Sequence, residues 1–296
     1  MIRALTIADL ERPETALGIC ATEGSITADA YHALPGVSNS RLKVFMEDPR
    51  KYFYRFLSGQ YVQPQKDCFD FGSAVHDLAL LGTDAGIVCI PDEVLTSNGS
   101  RSGNKWKDFA AANAGSILLK RADYQAVLNC VNAVLADPVA GAMLLSPGVS
   151  EKLFQYEDSL TELTLRCRPD RLVQFNGVTV VPDLKTTPDT TASSFAKSIV
   201  NFGYHYQAYF YRKVLKACGI DTAEFVFIAV GTEPPHTVDC YVLDEEFMRI
   251  AETDVENSLA DLAERTRHNN WKSHSHGSLV RLSPPRFAKY AKEYTL

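Results

Sequence analysis

The sequence predicts a mixed α/β fold, a mixed β-sheet flanked by helices with a helical N-terminal portion, and three observations carry that prediction. Helical periodicities run from about residue 38 to residue 146 and then give way to four short runs rich in β-branched and aromatic residues. An Asn176-Gly177 pair sits between two of those runs, and this dipeptide is the strongest short hairpin signal a sequence offers. Two more helical segments separate this hairpin from the apolar run 224–230, so helices must cross between parts of a sheet that they then cover.

Residues 1 to about 25 have weak periodicity and read as a loosely ordered extension, leaving a single domain over 26–296. Ser38 is placed to cap a helix of roughly 39–57 whose apolar face holds Leu42, Phe45 and Met46. A second helix, roughly 69–81, is apolar nearly all round and is expected to be buried. Residues 96–104, rich in Gly and Ser, form the clearest loop and are edged by Arg101, Lys105 and Lys107. Helical patterns return over about 105–114, 121–136 and 138–146. The runs 153–156, 163–167, 171–175 and 178–181 read as successive, mostly antiparallel strands. Helices near 192–201 and 204–218 follow, then strands at 224–230 and 237–243, an acidic helix of about 245–267 and a basic, Pro-containing tail.

The hairpin places chemistry as well as structure. Asp170 and Asp183 each lie six residues from the two-residue turn, so a regular register sets them face to face, with Cβ atoms roughly 5 Å apart. Like charges at that separation destabilise a fold unless one is protonated or a cation lies between them, so the hairpin reads as half of a metal site. Lys185 follows Asp183 by two residues and shares its face of the strand. Pro182 cannot donate to a ladder, and it is where this register would slip.

Composition narrows the field. The 46% hydrophobic and 22% charged content is that of an ordinary globular protein, and no apolar run approaches the roughly 18 residues of a membrane span. No leader-like N-terminus precedes the domain, so a cytoplasmic protein with no membrane partner is expected. Cys20, Cys68, Cys89, Cys130, Cys167, Cys218 and Cys240 have no CxxC spacing, which argues against zinc ribbons, iron–sulfur clusters and a disulfide framework. The net charge of −6 does not advertise a nucleic-acid binder, but the charge is uneven. Residues 239–264 carry nine acids against Arg249 alone, whereas 41–55 carry five bases against Glu47 and Asp48, so a polyanion could still be gripped locally.

An acid-x-Lys triplet is weak by itself, because both residue types are common. Two further residues, Gln207 and Tyr211, are four apart and share one helical face. Taken alone, these residues also have plain readings. His76 on an apolar helix is an ordinary core histidine, and Glu151 is a surface acid before a strand. Gln207 and Tyr211 are interior polar residues, Ser38 is a helix cap and Arg41 is a solvated base.

Together they carry a resemblance. His76 in Phe71-Gly72-Ser73-Ala74-Val75-His76, Glu151, Arg168-Pro169-Asp170, Asp183-Leu184-Lys185 and Gln207 through Tyr211 resemble the PDDEXK nuclease superfamily. Within it they are similar to the RecE, or exodeoxyribonuclease VIII, type of phage and prophage recombination exonuclease. Ser38-Asn39-Ser40-Arg41-Leu42 through Pro49, and the stretch 101–109, look like the N-terminal portion of that family. The resemblance spans roughly 26–294. It implies a restriction-endonuclease-like fold and Mg²⁺-dependent phosphodiester hydrolysis, with Mn²⁺ able to substitute. It further implies 5′→3′ degradation of linear double-stranded DNA from its ends, leaving 3′ single strands for a RecT-type annealing partner, by a homo-oligomeric ring.

By the same resemblance His76, Asp170, Asp183 and the Leu184 main-chain carbonyl would hold the metal. Lys185 would orient or activate the attacking water, Glu151 would contact a second metal or a water, and Gln207 and Tyr211 would contact the scissile phosphate or Lys185. Apart from the resemblance, a helix N-terminus binds phosphate, so Ser38 and Arg41 are placed to hold the DNA backbone or a terminal 5′-phosphate, and Arg101, Lys105 and Lys107 either clamp DNA or belong to an ordinary exposed loop. Two alternatives stand beside this expectation: a Cas4-like or AddB-like nuclease without an iron–sulfur cluster, and a DNA-end-binding subunit that has lost catalysis.

Overall fold

Asn176 and Gly177 both adopt positive φ, 49° and 80°, the two-residue turn whose twist matches that of the strands it joins. Strands Arg171–Phe175 and Val178–Thr187 therefore pair in the expected register, from Phe175↔Val178 to Val173↔Val180. The computed structural model describes residues 20–26, 28–62, 71–81, 86–222, 224–273 and 275–283.

Numbered in chain order, the strands are β1 (Cys20–Ser25), β2 (Ile87–Cys89), β3 (Ile117–Leu119), β4 (Gly148–Ser150), β5 (Lys152–Glu157), β6 (Thr164–Cys167), β7 (Arg171–Phe175), β8 (Val178–Thr187), β9 (Glu224–Gly231) and β10 (Val238–Val242). The helices are α1 (Ala28–Ala33), α2 (Asn39–Glu47), α3 (Pro49–Phe56), α4 (Phe71–Leu81), α5 (Asn104–Ala112), α6 (Arg121–Ala136), α7 (Ala140–Leu144), α8 (Ala192–Phe202), α9 (Tyr204–Ala217) and α10 (Glu245–His268).

The central sheet has the order β10-β9-β8-β7-β4, with β8 and β9 parallel and the other neighbours antiparallel. Parallel pairing needs a crossover, and α8 and α9 supply it. Strand alternation gives the sheet two packed faces. Leu172, Val181, Phe225, Phe227 and Ala229 pack toward Phe195, Phe210, Val255 and Leu259 of the crossover helices and α10. Leu184, Ile228 and Val230 pack the other way, toward Ala74 and Val75 of α4 and Val127 and Val131 of α6.

Several expectations are corrected. Residues 20–25, expected as loose extension, form β1 and pair with β5, while residues 1–19 lie outside the described residues. The helix expected over 39–57 is two helices. Pro49 disfavours helical backbone at Asp48, which turns to φ −164° and caps the second helix by accepting from the Arg50 N–H at 2.7 Å. The helix expected over 69–81 is α4, with 69–70 outside the described residues, and it buries only one side. That side meets α6 and β8, leaving His76 half-buried.

The four-strand meander is split. β5 and β6 join β1 in a separate three-stranded sheet, whereas β7 and β8 belong to the central one. Arg166 makes the first of these sheets a platform for the N-terminal segment. Fully buried on β6, it donates to the carbonyls of Tyr31, Leu34 and Pro35 at 2.7, 3.0 and 2.8 Å.

Candidate active site

Asp183 and Lys185 project from one face of β8, beneath helix α9. Gln207 Nε2 donates to Asp183 Oδ1 at 2.7 Å, while Oδ2 faces Lys185 Nζ as an ion pair at 2.5 Å and is buried without a hydrogen-bond partner. Burial raises the Asp183 pKa, Lys185 pulls it down and Asp170 pushes it up again, with a net rise. For Lys185 burial opposes the charge, but Asp183 and Asp170 outweigh it and hold the side chain as an ammonium.

The direct Asp170–Asp183 pair does not form within the ladder. Paired residues end at Val173↔Val180, because the next narrow pair would require an N–H from Pro182 toward Arg171. The register therefore terminates instead of slipping, and the chain before β7 peels away. It is caught by Glu151, whose N–H donates to the Pro169 and Asp170 carbonyls at 3.1 and 3.3 Å. The same alternation directs the Leu184 carbonyl to the β7 side, beyond the last paired residues.

That departure brings Asp170 to α4. His76 Nε2 lies 3.0 Å from Asp170 Oδ1 and 3.9 Å from Glu151 Oε1. One ligand atom from each of His76, Glu151 and Asp170 lies within 4.8 Å of the others. On its far side His76 Nδ1 meets Asp77 Oδ1 at 3.3 Å, a carboxylate that fixes the ring and leaves Nε2 facing the two acids. Burial disfavours a charged His76, yet Asp170 and Asp77 raise its pKa to about 10. Asp170 is shifted the opposite way: burial raises its pKa, but His76 more than compensates and the net shift is downward.

Glu151 is the most constrained member. Its backbone has φ 57°, which costs a non-glycine residue of order 1–3 kcal/mol and persists only where the surroundings impose it. Its Oε2 pairs with Arg168, while Oε1 is buried and has no hydrogen-bond partner. A buried carboxylate oxygen left unpaired beside an imidazole and a second carboxylate is a vacant acceptor, aimed where a cation would sit.

A family profile described as PDDEXK-like domain of unknown function (DUF3799) matches residues 38–278, most of the chain. The chain belongs to this PDDEXK-like family. A solved structure from Eubacterium rectale, described as that of a proposed exonuclease, superposes with a TM-score of 0.57 over 90% of this chain and 98% of that one. At 13% identity that likeness concerns the fold, and it agrees with the mixed five-stranded sheet flanked by helices. A second solved chain aligns at 14% identity over 62% of this chain and 85% of that one, with a TM-score of 0.26 that bears no argument. None of the curated proteins matches by sequence.

PDDEXK-like proteins generally use divalent metals, and the donors here fit one. Two carboxylates and an imidazole converge, one of them with an unpaired buried oxygen, and hard oxygen donors with a single imidazole suit Mg²⁺ or Mn²⁺. Glu151 stands inside this group, and Asp183, expected among the ligands, adjoins it with Oδ1 held by Gln207 and a buried Oδ2 that faces Lys185.

Other expected contacts are redistributed. Gln207 reaches Asp183 in place of Lys185, and the Tyr211 hydroxyl donates to the Arg168 carbonyl at 3.5 Å, bracing the turn that carries Asp170. Ser38 caps α2 by accepting from the Arg41 N–H at 3.3 Å. Arg41 spends its guanidinium on the carbonyls of Gly36 and His32 and lies over the Phe56 ring. Arg101 donates to the Leu118 carbonyl beside the small β2–β3 sheet, and exposed Lys105 opens α5. The sequence does not single out Asp77, and Arg168 enters only as part of Arg168-Pro169-Asp170, with no role of its own. Asp77 follows His76 directly and Arg168 precedes Asp170 by two residues, but neither has a spacing signal of its own.

Proposed function

We propose that this protein is a divalent-metal-dependent nuclease that hydrolyses phosphodiester bonds. More specifically, it degrades linear double-stranded DNA from its ends, 5′→3′, and leaves 3′ strands for an annealing protein. The observation that carries the nuclease reading is the convergence of His76, Glu151 and Asp170 next to the Asp183–Lys185 pair in a PDDEXK-like chain. Duplex specificity, polarity, a RecT-type partner and a ring assembly rest on the resemblance of the ordered motifs to RecE-type exonucleases.

His76, Glu151 and Asp170 would hold the cation, with Asp183 and the Leu184 carbonyl beside them. Bound there, Mg²⁺, or Mn²⁺ in its place, supplies neutralisation of the charge that develops on the phosphate oxygens. The chain's own residues do the remainder. Lys185, held as an ammonium by Asp183 and Asp170, orients the attacking water and faces the developing negative charge; a protonated amine cannot also take the water's proton. Gln207 fixes the Asp183 carboxylate that positions Lys185, and Tyr211 holds the Arg168–Asp170 turn in place.

The test uses linear duplex labelled at the 5′ or the 3′ end and a covalently closed circle, each with Mg²⁺ or EDTA. Early release of 5′ label from the linear form alone, only with Mg²⁺, is expected. Cutting of the circle would replace the exonuclease reading by an endonuclease, and no metal-dependent loss of any substrate would end the nuclease reading.

A further inference from the structure

Lys43 projects from α2 onto the junction of α8 and α9. Its stem lies over Gly203, where an added Cβ would come within 3.2 Å of Lys43 Cδ and 2.9 Å of the Tyr206 ring. Its Nζ donates to the Phe202 carbonyl at 2.9 Å. From Phe202 a short chain of contacts leads back to the active site: the Phe202 and Tyr204 rings are 5.5 Å apart, and Lys185 Nζ lies 4.9 Å from the Tyr204 centroid. Phe202 itself is 58% exposed, as is Val200 in the same last helical turn.

A lysine on the last carbonyls of a helix has an ordinary explanation, since it satisfies an unpaired acceptor and complements the helix dipole. That explanation does not account for the exposed Phe202 ring beside it. Lys43 is partly buried and feels Lys185, and these two effects, burial first, lower its pKa. The acids near it are already committed: Asp183 is paired with Lys185, and Glu47 with Lys51 at 3.2 Å. Two ammonium groups, Lys43 and Lys185, thus flank the Phe202–Tyr204 ring pair, with Lys43 at its exposed end. An exposed aromatic beside such cations is the combination by which proteins hold a nucleic-acid strand, charge on the phosphate and ring on the base.

We propose that Lys43 and Phe202 form a strand-binding lip of the active site, Lys43 taking a backbone phosphate next to the scissile one and Phe202 stacking on the base of that nucleotide. This rests on the nuclease reading for its substrate. In the proposal Lys43 and Phe202 position the strand; neither touches the reacting atoms.

The test is binding of a duplex that carries 2-aminopurine at its terminal nucleotides, to the intact protein in EDTA, so that nothing is cut. Wild-type protein is expected to change the 2-aminopurine emission on binding. Phe202→Ala should lose that change and bind roughly tenfold more weakly, with Phe202→Trp restoring both. Lys43→Met should weaken binding and flatten its salt dependence by about one phosphate contact, with Lys43→Arg restoring it. Unchanged emission and affinity in Phe202→Ala would overturn the proposal. So would a Lys43→Met protein that melts at lower temperature yet binds as wild type, the signature of a helix cap. If wild type digests DNA while both variants bind normally, the lip is wrong and the nuclease reading stands. If wild type binds through Lys43 and Phe202 but digests nothing with Mg²⁺, the lip stands and the nuclease reading fails.

Discussion

His76 is charged in the metal-free protein, and this sets how the site responds to pH. Its pKa of about 10 lies above the ordinary 6.5, so its pairing with Asp170 contributes stability that is complete below about pH 6.5 and is lost as the pH rises through about 10. Asp170 is shifted downward, so its share is present above its ordinary value of 3.8 and lost as the pH falls below that. A cation must expel the imidazole proton, since only the neutral ring ligates. Calorimetric titration with Mn²⁺ at pH 7, in buffers of different ionisation enthalpy, should report release of about one proton per ion, with affinity rising as the pH is raised. Binding without proton release would contradict the His76–Asp170 pairing. The residues in this pairing were only partly legible in the sequence. His76 and Glu151 have unremarkable neighbours, and only the fold, through the left-handed backbone at Glu151 and the peeling of Asp170 from β7, brings them together.

At the scale of elements, local signals were readable and non-local ones were not. The Asn176-Gly177 turn and its first pairs follow from turn chemistry, and β9 and α10 follow from uninterrupted periodicity. The three-residue strands β2, β3 and β4 are too short to carry a period. The separation of β5 and β6 from β7 and β8 depends on partners far away in the chain, β1 among them. Arg166 is the element-scale device that no periodicity reveals, a buried guanidinium that closes three carbonyls of the segment 31–35 onto β6. Arg166→Met leaves those acceptors unpaired and should cost about 3–5 kcal/mol. Urea denaturation measures it, and a loss below about 1 kcal/mol would show that the clasp does not hold the segment.

For the whole molecule, the acidic balance and the proposed substrate must be reconciled. Part of the acid on α10 is spent internally, with Asp254 accepting from Tyr206 and Glu256 from Tyr209 and Lys213. A ring, as the RecE resemblance implies, would concentrate the basic surfaces around a duplex. Light scattering on the purified protein should then give a mass that is a fixed multiple of 32.7 kDa at all working concentrations, and a mass of one chain would exclude the ring. No helix among the described residues is long and apolar enough to cross a membrane. The central claim, hydrolysis of DNA at the His76–Glu151–Asp170 group with Asp183 and Lys185, is tested most directly by the rate of nucleotide release from linear duplex. That rate is compared in Mg²⁺ for wild type, Asp183→Ala and Lys185→Ala, each shown by circular dichroism to be folded. Wild type should release nucleotides and lose the activity in EDTA, and each variant should be slower by at least about 10²-fold. Wild-type rates in either folded variant would contradict the account.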